Sequence, residues 1–150
     1  MDTDKIIRGK RILVVDDEKD ILAVAESLLD MCKIDTATTF GDAKVLMEEV
    51  DYDIVVLDIM GVNGYELIKI ANRRKIPALM LTAHALSPED LKRSAEEGAA
   101  YFAPKEKIED LPKFIADVLD AIDKKKSPWG KMFDRLGAFY DKRFNGPDWR

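Results

Sequence analysis

Five times along this chain a short run that suits a strand is followed by a segment that suits a helix, and this alternation constrains the fold more than any other feature. Four runs are apolar and bounded by polar residues: "ILVV" (12–15), "IVVL" (54–57), "ALML" (78–81) and the weaker "AYFA" (100–103). A fifth, "KIDTATT" (33–39), is β-branched and less apolar, as an edge strand is. Residues 19–31, 41–50, 64–72, 88–97 and 108–122 carry apolar side chains at helical spacing. Ser87 ahead of Pro88 marks the start of one helix, and Gly98 marks its end. Strand-then-helix repetition implies an α/β fold, with a five-stranded parallel sheet, helices on both faces and right-handed crossovers.

At 150 residues the chain suits one domain with a proper core and a small appendage. No apolar stretch approaches the roughly 20 residues of a membrane span, so membrane association is not expected. The opening "MDTDKIIRGK" lacks the apolar segment of a secretion signal. A single cysteine, Cys32, excludes an internal disulfide and fits a reducing cytoplasm. Its place at the end of a helical pattern makes it a half-buried packing residue. Charge divides the chain. Residues 1–123 hold 16 Lys and Arg against 26 Asp and Glu, a net of −10, whereas residues 124–150 hold 8 against 3, a net of +5. An acidic body argues against direct DNA binding; the basic tail suits an acidic partner.

The residues just past the strand ends carry the chemistry. Asp16 and Asp17 come after the first strand, Asp58 after the third, Thr82 after the fourth and Lys105 after the fifth. In a parallel sheet these ends share one edge, where open α/β folds form their ligand crevice. Any one of these residues alone has an ordinary explanation as a turn, cap or solvated charge. Three carboxylates together do not, because adjacent like charges repel by about 1 kcal/mol in water and about 4 kcal/mol at a protein surface. A hard divalent cation removes the conflict, and Mg²⁺, or Mn²⁺ in its place, prefers such oxygen ligands. The set suits phosphoryl transfer onto a carboxylate, with the cation, the Lys105 ammonium and the Thr82 hydroxyl each taking one equatorial oxygen.

The stretches "LVVDDE", "DIVVLDIM", "MLTAHA" and "GAAYFAPKE" resemble the response-regulator receiver domains of two-component phosphorelays, over about residues 10–123. The resemblance implies a doubly wound, flavodoxin-like sheet of order 2-1-3-4-5. It makes Asp58 the phosphoacceptor, Asp16 and Asp17 the acidic metal pair, and the Met60 carbonyl a further metal ligand. It makes Thr82 the switch hydroxyl, Lys105 the phosphate-binding lysine and Phe102 the switch aromatic, with Tyr101 competing for that last role. Three departures stand out. "DIMGVNG" reaches Gly64 two residues early and lacks the usual proline; Glu106 replaces the cis-proline after the lysine; and Phe102 lacks a tyrosine hydroxyl. A non-proline cis bond costs about 3 kcal/mol, so the sequence leaves the isomer after Lys105, and with it the placement of the lysine, open. His84 follows a strand, unlike a phosphotransfer histidine on a helical bundle, and is read as bordering the site.

The expected organisation is a receiver domain over 1–123, then "KKKSP" as a hinge into an amphipathic helix within 124–150. In the tail, Trp129, Met132, Phe133, Leu136, Phe139, Tyr140 and Phe144 recur at helical spacing opposite Lys131, Arg135 and Lys142. Such an apolar face must be covered, by its own domain, a second copy or a partner, and a homodimer through this helix is slightly favoured. The expected function is a cytoplasmic, non-enzymatic switch. It would be phosphorylated by a histidine kinase or phosphotransfer protein and act on a downstream protein target. The alternatives are a haloacid-dehalogenase-type aspartyl phosphatase, which needs an acid where Met60 stands, and an unphosphorylated scaffold.

Overall fold

The computed structural model describes residues 1–150. Five strands, β1 (Arg11–Val15), β2 (Lys33–Ala37), β3 (Ile54–Leu57), β4 (Ala78–Thr82) and β5 (Tyr101–Pro104), pair in parallel in the order β2-β1-β3-β4-β5. The helices are α1 (Thr3–Ile7), α2 (Lys19–Leu28), α3 (Phe40–Glu49), α4 (Gly64–Arg73), α5 (Pro88–Glu96), α6 (Leu111–Asp123) and α7 (Pro128–Arg143). Short 3₁₀ turns cover Lys105–Asp110 and Pro147–Trp149.

Burial follows the hydropathy of the runs. The strands β3 and β4 are buried at every position, whereas β2, at an edge, is only partly covered. The Ser87 hydroxyl caps α5 by accepting from the Asp90 N–H at 3.1 Å, and Gly98, at φ +99°, follows its last turn. Cys32 is half-buried, its thiol donating to the Ile7 carbonyl at 3.3 Å. No helix is long and apolar enough to cross a membrane.

Three differences have physical causes. The helix expected over 108–122 begins at Leu111, because Pro112 has no N–H and is tolerated only in a helix's first turn. The short α1, too brief to show periodicity, packs on α6 and buries Ile7 completely. The tail helix docks on its own chain, against α6 and β5, burying Met132, Leu136 and Tyr140. Its apolar face is thereby largely covered within the chain, the intramolecular one of the expected arrangements. Lys131 and Arg135, expected to face solvent, instead reach Asp120 and Asp117 on α6.

Candidate phosphoacceptor site

Strand register builds the site. Val15 lies opposite Leu57, so the next residues, Asp16 and Asp58, stand side by side where β1 and β3 end. The Asp58 N–H donates to the Val15 carbonyl at 3.0 Å and the Asp16 N–H to the Ala37 carbonyl at 3.1 Å, carrying the ladders one residue beyond the strands. Thr82 lies opposite Pro104, which brings Lys105 to the same edge from β5.

There Lys105 is the centre of a buried charge cluster. Its Nζ lies 2.8 Å from Asp16 Oδ2, 3.2 Å from Asp58 Oδ2 and 3.1 Å from Glu18 Oε1. Asp16 and Asp58 are each 2% exposed. Their second oxygens accept backbone N–H groups, Glu18 to Asp16 and Ile59 to Asp58, both at 2.9 Å. Burial pushes the Asp58 carboxyl above its ordinary range and the Asp16 charge adds to this, while Lys105 opposes both. Burial likewise raises Asp16, with Lys105 and the Glu18 N–H pulling the other way. For Lys105 burial favours the neutral amine, but Asp16, Asp58 and Glu18 outweigh it and hold the ammonium above its usual range. One ammonium thus serves two buried carboxylates, and negative charge remains in excess.

The rim supplies further oxygen donors. Asp16, Asp17 and Glu18 can each bring one carboxylate oxygen within 4.8 Å of the others, and Asp17 and Glu18 are exposed. The shortened loop closes over them. Gly61 sits at φ +84°, and a β-carbon there would collide with the Asp17 carboxylate; one at Gly64 would collide with the Asp58 carbonyl. Only glycine lets this loop lie so close to both aspartates. Hard carboxylate donors around a surplus of negative charge fit Mg²⁺ or Mn²⁺. Met60 lies at the exposed rim of the same loop.

Thr82 is fully buried and its Oγ1 accepts from the Ala85 N–H at 3.3 Å, leaving its own O–H to donate. Successive strand residues face opposite sides. Tyr101 turns toward α6, donating to Asp117 at 2.7 Å, so Phe102 is the aromatic on the other face. His84 is exposed on the loop after β4. No peptide bond is cis, so the Lys105–Glu106 bond is trans.

The structure thus brings Asp16, Asp58 and Lys105 into direct contact and places Asp17, Met60 and Thr82 around them. Sequence reasoning missed Glu18, although it is the third acid of "DDE" and belongs to the same strand end. It also missed Asp117, buried at 2% exposure, which takes the Tyr101 hydroxyl and both arms of Arg135 at 2.7 and 2.9 Å. The available signal was an aspartate on the apolar face of the helical pattern.

Comparison with known proteins agrees with this geometry. The model of the response regulator receiver domain matches residues 12–116. The response regulator SaeR of Staphylococcus aureus (strain USA300) is 41% identical over 78 residues, covering 48% of this chain and 34% of its own length. The match therefore spans about a third of the length of that relative. A CheY-like receiver domain protein from Methanospirillum hungatei JF-1 superposes with a TM-score of 0.60 at 26% identity, over 71% of this chain and 96% of its own. DrrB of Thermotoga maritima, an OmpR/PhoB homologue, gives 0.61 at 28% identity over 79% of this chain and 55% of its own. With a family match over most of its length and the acidic edge in place, this chain belongs to the response regulator receiver domain family of two-component systems.

Proposed function

We propose that the chain is a phosphorylation-controlled switch in which Asp58 accepts a phosphoryl group from the phosphohistidine of a histidine kinase or phosphotransfer protein. The observation that carries this reading is the buried Lys105 ammonium touching both Asp16 and Asp58 at the crevice edge of the sheet. A carboxylate oxygen of Asp58 attacks phosphorus, the new O–P bond forms, and the P–N bond to the imidazole breaks. The imidazole leaves with the bonding electron pair and is protonated. Lys105 is positioned to pair with one phosphoryl oxygen and the Thr82 O–H to donate to another. Mg²⁺ or Mn²⁺, held by Asp16, Asp17, Asp58 and the Met60 carbonyl, supplies positive charge beside the transferred group when bound. Phe102 serves as the aromatic that responds to the change. Residues 1–123 act as the receiver and 124–150 as its appendage, in the cytoplasm, with output through contact with a downstream protein.

The aspartyl phosphatase reading is disfavoured because the position two residues past Asp58, which must hold an acid, is Met60, 54% exposed at the rim. Incubation with acetyl phosphate and Mg²⁺ followed by intact mass tests all three readings. A switch gains one phosphoryl group and slowly loses it; a phosphatase turns substrate over; a scaffold does neither. Asp58→Asn keeps the shape of the side chain but removes the nucleophile, so it is expected to stay unmodified and folded. Stoichiometric Mg²⁺-dependent modification of that variant would overturn the assignment.

A further inference from the structure

We propose that α7 is a clamp closed over the β5 edge of the sheet, and that phosphorylation of Asp58 loosens it. This rests on the reading of Asp58 as the phosphoacceptor.

The helix grips β5 from both faces and at both ends. On the Tyr101 face, Arg135 holds Asp117, which holds the Tyr101 hydroxyl. On the Phe102 face, the Tyr140 ring lies 6.1 Å from the Phe102 ring, and its hydroxyl donates to the Phe102 carbonyl at 2.6 Å. Just before the strand, the Trp129 indole N–H donates to the Ala99 carbonyl at 3.1 Å. Just after it, Arg143 pairs with Glu106 at 2.7 Å.

Two of these grips flank Lys105. Phe102 lies three residues before it and Glu106 one after. Lys105 Nζ is now tied to Asp16, Glu18 and Asp58. A phosphoryl group on Asp58 fills that space with charged oxygens. Lys105 must then exchange carboxylate partners for phosphoryl ones, carrying Pro104 and Glu106 with it. Thr82 lies opposite Pro104 at the same strand end. The movement arrives where Tyr140 and Arg143 hold on.

The clamp is built to release as a unit. Tyr140 stacks on Phe144 at 5.1 Å and meets Trp149 edge-on at 5.3 Å, while the Trp149 indole donates to Asp141 at 2.8 Å. These contacts tie the end of the chain to α7, while Tyr140 and Trp149 also join the core of the domain. The Glu106–Arg143 pair is half exposed on both sides and weak. Residues 124–127 are exposed and give the helix its hinge.

Coupling between two sites is reciprocal, so whatever phosphorylation does to α7, loosening α7 does to phosphoryl binding. The test uses the full chain. After treatment with acetyl phosphate and Mg²⁺, intact mass reports modification and amide hydrogen exchange reports residues 128–143. Exchange there is expected to accelerate about tenfold, within the usual range of coupling between sites. Tyr140→Phe removes the bond to Phe102 without touching the phosphoacceptor cluster. It is expected to loosen α7 in the unmodified chain and to tighten equilibrium binding of beryllium trifluoride with Mg²⁺. A chain that gains a phosphoryl group while α7 exchanges as before overturns the clamp, as does a loosened Tyr140→Phe helix with unchanged beryllium trifluoride affinity. If the mass does not change at all, the reading of Asp58 itself falls, and the clamp with it.

Discussion

Replacing Lys105 with methionine, in protein freed of divalent cations, asks whether the ammonium holds two charged carboxylates in the core. Methionine keeps most of the buried stem and removes only the charge. The lysine side chain is 5% exposed and the Asp16 and Asp58 side chains 2% each. Breaking a buried ion pair from one side costs about 3–5 kcal/mol, because the partner keeps an uncompensated charge. Here the loss has a ceiling. One carboxyl can take up a proton and restore the former charge balance. From an ordinary value of 3.8, that proton costs about 4 kcal/mol at pH 7 and about 1.6 kcal/mol at pH 5, at about 1.4 kcal/mol per pH unit. Both carboxyls are already raised by burial, and losing Lys105 raises them further. A raised folded-state value favours the protonated form, so the associated stability is complete below the ordinary value and drains away as pH rises through the folded one. The variant should therefore lie about 3–4 kcal/mol below the parent at pH 7 and within about 2 kcal/mol at pH 5. Urea unfolding followed by far-UV circular dichroism measures both gaps. An equal deficit at the two pH values, or one below about 1 kcal/mol at pH 7, would refute the charge argument. Added Mg²⁺ should narrow the gap at pH 7 by taking the place of the lost cation.

Three other outcomes rest on single side chains. Asp17→Ala should weaken Mg²⁺ binding by about tenfold or more in calorimetric titration, yet change unfolding by no more than about 0.5 kcal/mol, because the side chain is exposed. Asp117→Ala strands the fully buried Tyr101 hydroxyl and frees Arg135, for a loss of about 2–3 kcal/mol. Trp129 and Trp149, the only two tryptophans, both lie in the tail, so their fluorescence should change at a lower urea concentration than in the parent. Burial pushes the Cys32 thiol up to about 11 from 9.0, so at pH 8 the folded chain should react with iodoacetamide about a hundredfold more slowly than the urea-unfolded chain.

Much of the acidic edge was legible because its placement needs only the strand ends. Once β1 and β3 are parallel neighbours, Asp16 and Asp58 must be adjacent, and no side-chain detail is required. Lys105 was legible for the same reason. The partners of these residues were less so. That Glu18 turns toward Lys105 depends on the path of the chain after Asp17, which no spacing rule encodes. Asp117 was hidden by its own surroundings, since the pattern of apolar neighbours reads as a helix face whether or not one position carries a charge. The tail posed a different difficulty. An amphipathic helix announces that something covers its apolar face but not what. The answer here depends on Asp117 and Asp120 lying within reach of Arg135 and Lys131, a fact about α6 rather than α7.

The two outer strands of the sheet are protected by unlike means. β2 carries Lys33 and Asp35 and stays half open, relying on polar side chains to discourage another strand from pairing with it. β5 has no such charges. Its residues Tyr101, Phe102 and Ala103 are fully buried although the strand has a neighbour on one side only. The sequence "YFAP" at an open edge is a template for self-association, and α7 is what removes it. Tail substitutions that leave the acidic crevice intact should therefore still lower the yield of dispersed protein, and they should do so by strand-to-strand association rather than by unfolding.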